Sequence, residues 1–214
     1  RLGFMPGEAE NLAKEIVASG QVRIASVFSH LSSAENPEHD SFTRSQADTF
    51  KEVSERIRAV AGYNFIRHLL NTQGIMRFPE YQFEMVRPGI GLYGIESTTG
   101  YGFRQALRYI TRILQIKTVP AGQPVGYGCS DISERERRIA ILPAGYADGI
   151  DRRSGNGKGG VFINNRYAPF AGTICMDLSM ADITGIEAKE GDEAEIFGGN
   201  ITIDNVAAAT GRIP

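Results

Sequence analysis

The sequence predicts two successive regions: α/β units with parallel strands over residues 1–103, then a mainly antiparallel β domain over 104–214. Three observations carry this. In the first hundred residues, apolar positions recur at helical spacing and then in short β-branched runs, in the order helix, strand, helix, strand. Beyond about residue 103, short alternating runs broken by Asn and Gly turns replace the helical spacing. Glycine, 25 residues in all, clusters after residue 88, where tight turns are therefore expected.

Residues 7–19 (GEAENLAKEIVAS) set Ala9, Leu12, Ala13, Ile16 and Val17 on one helical face, and Gly20 suits the helix end. Residues 22–28 (VRIASVF) have strand length and β-branched content, and polar SHLSSAENPEHD follows. Phe42, Phe50, Val53, Ile57 and Val60 predict a long helix, with Ser41 as N-cap and Gly62 at its end. Residues 63–70 read as a second strand and NTQG at 71–74 as a polar loop, while 83–86 and 90–93 flank Arg87-Pro88-Gly89. Ligands of parallel α/β folds bind at the carboxyl ends of strands, and His30, Asn71-Thr72 and Arg87-Pro88-Gly89 all fall at or just past such ends. In the second region residues 107–119 alternate, and strands are predicted at 138–142, 160–164, 167–174, 180–183 and 194–197. Asn164-Asn165 makes a hairpin turn and 198–200 another turn; only 204–210 reads as helix. The patch SGNGKGG at 154–160 reads as a flexible loop, and no internal repeat is visible.

Composition excludes several classes. Hydrophobic content of 42% with 22% charge is that of a globular chain able to bury a core. A net charge of -2 offers no electrostatic basis for binding nucleic acid or an anionic membrane. No apolar run approaches the ~20 residues of a membrane span. Cys129 and Cys175 form neither a disulfide framework nor a metal spacing, three scattered histidines make no metal site, and a reduced, intracellular state is expected. The first residues show no signal-peptide pattern, and the chain reads as cut from something longer.

The chemistry centres on residues 125–149, VGYGCSDISERERRIAILPAGYADG, where Tyr127 and Tyr146 each adjoin glycine. Glycine lets the backbone turn sharply and approach a ligand, and a phenol can hydrogen-bond, stack or exchange a proton. On spacing alone, Tyr127 reads more readily as a packed aromatic at a strand end. The Walker, dinucleotide, nucleophile-elbow and zinc-helix motifs are absent.

Several stretches together resemble the alanine racemases, pyridoxal-phosphate enzymes of fold-type III: RLGF (1–4), SHLSSAENP (29–37), MVRPGIGLYG (85–94), VGYG (125–128), PAGYADGIDRR (143–153) and GTICMD (172–177). The resemblance covers essentially the whole chain. It implies the C-terminal part of a (β/α)8 TIM-like barrel followed by a β domain, in a homodimer whose active site is shared between subunits. It implies pyridoxal 5'-phosphate as cofactor, an amino-acid substrate, and interconversion of L- and D-alanine that supplies D-alanine for peptidoglycan in the cytoplasm. The family's Schiff-base lysine lies upstream of RLGF and its final segment beyond ATGRIP, so the chain is expected to be a fragment without activity by itself.

The resemblance also assigns residues. Tyr127 matches the tyrosine that exchanges a proton on one face of the substrate, the missing lysine serving the other. Arg87 matches the arginine facing the pyridine nitrogen; a guanidinium only donates and so cannot fully protonate the ring. His30 matches the histidine beside the ring, Arg1 the arginine on the phenolic oxygen, and Thr72, Gly89 and Ile90 the phosphate-binding positions. At Thr72-Gln73-Gly74 the chain departs from the family's serine followed by small residues, which puts details of the phosphate site in doubt. Tyr146 and Met176 match residues lining the substrate entrance, with Asp177 near the substrate carboxylate. Arg152 reads equally as part of the entrance or as a solvated arginine, and Asp148 and Gly149 shape the turn after Tyr146. The competing readings are a serine-preferring or broad racemase of the same fold, a non-catalytic truncated homologue, and the racemase part of a fusion.

Overall fold

A computed structural model describes residues 3–95 and 100–213. The chain divides into two compact units, 1–104 and 105–214.

In the first unit helix α1 (Ala9–Ser19) ends on Gly20 in the left-handed conformation, φ 62°. Strand β1 (Ser26–Phe28) pairs in parallel with β2 (Ile66–His68), and Met85 extends the sheet by a parallel bridge to His68. Both strands are shorter than the apolar runs that announce them. Helix α2 (Asp40–Ala61) connects them and ends on left-handed Gly62. Its buried face is Thr43, Ala47, Phe50, Ser54 and Ile57, so Phe42 is exposed, contrary to expectation. Small residues at 43, 47 and 54 give this face a close approach that a stripe through Phe42 would deny. Nor is Ser41 the cap: a 3-10 turn at Pro37–His39 leads into α2, and the Asn36 side chain accepts from the Glu38 N–H at 3.0 Å. The expected polar loop 71–74 is the start of a helix, α3 (Thr72–Arg77), whose N-cap Asn71 accepts from the Gly74 N–H at 2.9 Å.

Two apolar clusters hold this unit, one around Leu31, Phe50, Leu69, Leu70 and Phe78, the other around Ala13, Ile57 and Phe65. Arg67 on β2 binds Glu84 through side chain (2.8 Å) and backbone N–H (2.8 Å) and also pairs with Glu55. These bonds hold the Glu84 carboxyl down at about 2. The opposite face of the sheet is apolar and open: Phe28, Ile66 and Met85 are exposed there, with Phe28 stacked on His68 at 5.1 Å.

The second unit contains two antiparallel sheets. One orders β10 (Ser179–Asp182), β7 (Arg137–Leu142) and β4 (Gln115–Val119); the other orders β3 (Tyr109–Arg112), β11 (Glu193–Phe197), β8 (Gly160–Ile163) and β9 (Arg166–Pro169). The alternating run 107–119 divides into β3 and β4 because the chain crosses between sheets: the Ile113 N–H bonds Asp192 and the Leu114 N–H bonds Ile141. β8 and β9 join through Asn164 and Asn165, both at positive φ, as expected for a two-residue hairpin turn. β9 stops at Pro169 rather than running to residue 174, since the next residues cross to the other sheet: Phe170 bridges Ala181 and the Ala171 N–H donates to the Met180 carbonyl at 2.8 Å. A short hairpin, β5 (Pro124–Val125) with β6 (Asp131–Ile132), carries Tyr127 at its tip. Helix α4 (Ile203–Thr210) starts at Thr202, whose side chain and that of Asn205 cap each other's backbone N–H. Leu142, Val161, Ile163, Ile174, Ala181, Ile183 and Ala194 form the core.

The glycine-rich patch 154–160 is tightly bonded, not a flexible loop. Asn156 and Gly157 donate to the carbonyls of Gly172 and Phe170 at 2.8 Å each, and Gly159 to that of Ser154 at 2.8 Å. Glycine is required there because a Cβ on Gly155 would stand 2.7 Å from the Gly172 oxygen. Among the described residues no helix is long and apolar enough to cross a membrane, and no group of His, Cys, Asp or Glu could hold a metal ion.

Candidate active site

In the first unit the candidate residues collect at the carboxyl ends of β1 and β2. Arg87 is half-buried, and its guanidinium bridges those ends. One terminal nitrogen donates to the His68 carbonyl (2.9 Å) and meets His68 Nδ1 (2.5 Å); the other donates to the carbonyls of Ser29 (2.7 Å) and Leu69 (3.3 Å) and lies 3.4 Å from His30 Nδ1. Phe28 lies under the guanidinium at 5.4 Å. Burial lowers the Arg87 pKa from its ordinary value. His68, absent from the sequence expectations, is thus the partner of Arg87. Burial first, and the Arg87 charge second, lower its pKa, so the ring is neutral at neutral pH. Because a guanidinium only donates, Nδ1 is the acceptor and Nε2 carries the proton. Nothing local in the sequence marks His68; the contact depends on the parallel bridge that sets Met85 beside it, 17 positions later.

Thr72, Gly89 and Ile90 also come together. Thr72 Oγ1 accepts from the Gly89 N–H (3.0 Å) and the Gly91 N–H (3.1 Å). The Gly89 N–H is therefore engaged by Thr72. Thr72 Oγ1 accepts twice, which leaves its hydroxyl proton to donate, and the Ile90 N–H stands at the start of the turn that follows Gly89. Gly91 is needed for this closeness, since a Cβ there would lie 2.5 Å from Thr72 Cγ2. His30 is exposed, and Arg1 lies outside the described residues.

In the second unit a spine of residues 172–177 joins the other candidates. At its start Gly126 and Gly172 pack backbone to backbone: a Cβ on Gly172 would stand 2.5 Å from the Val125 oxygen. This holds the turn from which Tyr127 projects with 71% of its surface exposed. At its other end the Tyr146 N–H donates to the Cys175 carbonyl and the Ala147 N–H to that of Met176, both at 2.9 Å. The Asp148 carboxylate accepts from the Gly145 N–H at 2.9 Å, and Gly149 at φ 99° closes the turn. Tyr146, Met176 and Asp177 are exposed, and the Arg152 guanidinium sits 5.3 Å over the Tyr146 ring. Gly145 marks where the two segments touch: a Cβ would meet the Met176 oxygen at 2.2 Å and the Cys175 oxygen at 2.4 Å. Gly145→Ala should therefore cost about 1–3 kcal/mol by forcing backbone apart, measured as a lower urea midpoint at unchanged slope.

The model of the alanine racemase N-terminal domain matches residues 1–97, and that of the alanine racemase C-terminal domain matches residues 106–214. The chain belongs to the alanine racemase family. Among curated relatives of that family, alanine racemase of Rhizobium meliloti is 35% identical over 230 residues, covering all of this chain and 59% of that protein. Alanine racemase of Halothermothrix orenii is 34% identical over 203 residues, covering 92% of this chain and 53% of that protein. The chain thus spans about half the length of the curated relatives it matches. Among solved structures, alanine racemase from Streptomyces lavendulae superposes with a TM-score of 0.89 at 34% identity, over all of this chain and 59% of that one. Alanine racemase from Bartonella henselae, described with covalently bound pyridoxal phosphate, gives 0.84 at 30% over the same shares. The fold is accordingly that of the family, the C-terminal part of a (β/α)8 barrel followed by an antiparallel β domain.

Proposed function

We propose that the full-length protein carrying this chain is a pyridoxal-phosphate-dependent alanine racemase, interconverting L- and D-alanine and supplying D-alanine for peptidoglycan in the cytoplasm. The observation that carries the reading is Tyr127, a phenol 71% exposed at the tip of a turn whose backbone is locked. Racemisation needs one proton-exchanging group on each face of the substrate carbon. Tyr127 takes one face; the family resemblance gives the other to a lysine that none of this chain's lysines matches. Serving a partner subunit's cofactor, Tyr127 requires a homodimer, in which Tyr146 and Met176 wall the substrate and Asp177 stands near its carboxylate.

The residues present fit pyridoxal phosphate. The Thr72 hydroxyl and the Ile90 N–H would donate to its phosphate, and Gly89 and Gly91 keep side chains out of the cradle. Arg87 would hold the pyridine nitrogen, with His68 and His30 beside it, and Arg1 the phenolic oxygen. When bound, the cofactor supplies an electron sink that acidifies the substrate Cα–H. Arg87 limits that sink, because a guanidinium donates a hydrogen bond to the ring nitrogen without giving up its proton. The exposed apolar face formed by Phe28, Ile66 and Met85 supports a longer barrel that would cover it. The pyridoxal phosphate of the Bartonella henselae structure supports the cofactor.

The test is racemisation of L-alanine and L-serine, compared in the full-length protein loaded with pyridoxal phosphate. Turnover of alanine at least about tenfold above serine in kcat/KM, a difference of ~1.4 kcal/mol, is expected. No turnover of alanine in the loaded protein would sink the reading, and a preference for serine would reassign the substrate.

A further inference from the structure

The turn that carries Tyr127 has little sheet of its own to hold it. Its hairpin consists of two residue pairs, Pro124 with Ile132 and Val125 with Asp131. Of the five residues between, Gly126, Gly128 and Cys129 sit at positive φ, at 77°, 72° and 50°. The Asp131 carboxylate, at the base of the turn, is bonded in two directions. Its Oδ2 accepts from the Gly172 N–H at 2.7 Å, at the start of the spine that leads to Met176 and Asp177. It also faces Arg137, with contacts of 3.0 and 3.2 Å. Arg137 is only 8% exposed, lies on β7, and reaches to 3.9 Å from Asp182 on the neighbouring strand β10. A second link lies beside it: Ser130 Oγ bonds Asn156 Oδ1 at 3.0 Å, and the Asn156 N–H donates to the Gly172 carbonyl at 2.8 Å. Both hydrogen-bonding groups of Gly172 are thus engaged in fastening the Tyr127 turn to the spine.

We propose that Asp131, braced by Arg137, is a positioning residue for Tyr127: it fixes the turn against Gly172 and the β7 strand and so sets where the phenol stands. This rests on the reading of Tyr127 as the proton-exchanging group. The pair resists displacement, because removing Asp131 leaves the buried Arg137 guanidinium without its nearest carboxylate. Proton exchange is sensitive to such placement, and a shift of about 1 Å can cost on the order of 100-fold. The effect belongs to one face of the substrate only, since the group on the other face does not depend on this turn.

The test follows wash-out of the α-proton into deuterated water, for L- and D-alanine separately, in the full-length loaded protein. In Asp131→Ala the initial exchange of one enantiomer should fall roughly 10- to 100-fold, with the other within about twofold. Asp131→Asn keeps an acceptor for the Gly172 N–H and loses the charge. It should show a smaller loss, about 3- to 10-fold, in the same enantiomer, and it serves as the decisive variant if Asp131→Ala does not fold. Amide hydrogen exchange supplies a readout independent of turnover: residues 126–130 should lose protection while 137–142 keep theirs. Equal loss for both enantiomers, no loss for either, or protection lost throughout β7 would overturn the role. A wild-type protein that exchanges neither enantiomer would instead remove the functional reading, and this inference with it.

Discussion

Tyr127→Phe in the full-length protein should lower racemisation by about 10²- to 10⁴-fold, the usual worth of a positioned acid or base, and leave cofactor affinity within about threefold. The separation is expected because Tyr127 projects from the second unit with its phenol exposed, whereas the residues proposed to hold the cofactor belong to the first. Phenylalanine keeps the ring and removes only the hydroxyl, so the turn built by Gly126 and Gly128 is undisturbed. Racemisation followed by chiral chromatography, beside a cofactor titration, measures both. Activity retained at wild-type level would take Tyr127 out of the mechanism. Because the phenol is proposed to serve the partner's site, mixing this impaired variant with one lacking the lysine proposed for the other face should restore activity in mixed dimers. A mixture that stays inactive after subunit exchange would place each site within one subunit.

Arg87→Met should cost roughly 2–4 kcal/mol of stability, since it removes the guanidinium donor from the carbonyls of Ser29 and Leu69 and from the His68 ring, the His68 carbonyl keeping only the Ser29 N–H at 3.4 Å. Arg87→Lys should recover only part of this, because an ammonium cannot reach acceptors on both strand ends as a planar fork does. Urea unfolding of the three proteins gives the comparison, and an unchanged midpoint in Arg87→Met would contradict the network. His68 offers a second reading of the same substitution. Its pKa is lowered by burial and by the Arg87 charge, so removing Arg87 should move it back up, as histidine NMR titration would record. The sign for stability follows from linkage. With a folded pKa below the unfolded value, the folded state binds fewer protons, and stability falls as pH drops below about 6.5.

Much of the site could be read from the chain, though not its wiring. Tyr127 and Tyr146 stood out because glycine beside a phenol has a local consequence, and the turns at Gly126, Gly128 and Gly149 are indeed left-handed. Thr72, Arg87 and His30 were flagged by their places at strand ends, which is a matter of order along the chain. His68 and Asp131 were missed. Each is defined by a partner distant in sequence, Arg87 for one and Gly172 for the other, and neither partner leaves a trace in local pattern. Asp131 in SDISERERR looks like one more charge in a solvated stretch, yet it is clamped between Arg137 and a backbone N–H. Whether the Gly89 N–H is free likewise depends on Thr72, 17 residues earlier.

The succession α1, β1, α2, β2, the change from helical to alternating spacing near residue 103, and the Asn164-Asn165 hairpin were determined by the sequence alone, since spacing and positive-φ preference act within a few residues. Family membership was also legible there, carried by VGYG, PAGYADG and GTICMD in their order. Tertiary structure decided the rest. It chose Thr43 and Ala47 over Phe42 for the buried face of α2, divided residues 107–119 between two sheets, and turned a glycine-rich patch into a bonded support for Gly172. It also set Arg87 between two strand ends and Tyr127 on a braced turn. Those outcomes depend on which hydrogen-bonding groups remain unpaired once distant segments meet, and a linear pattern holds no record of that competition.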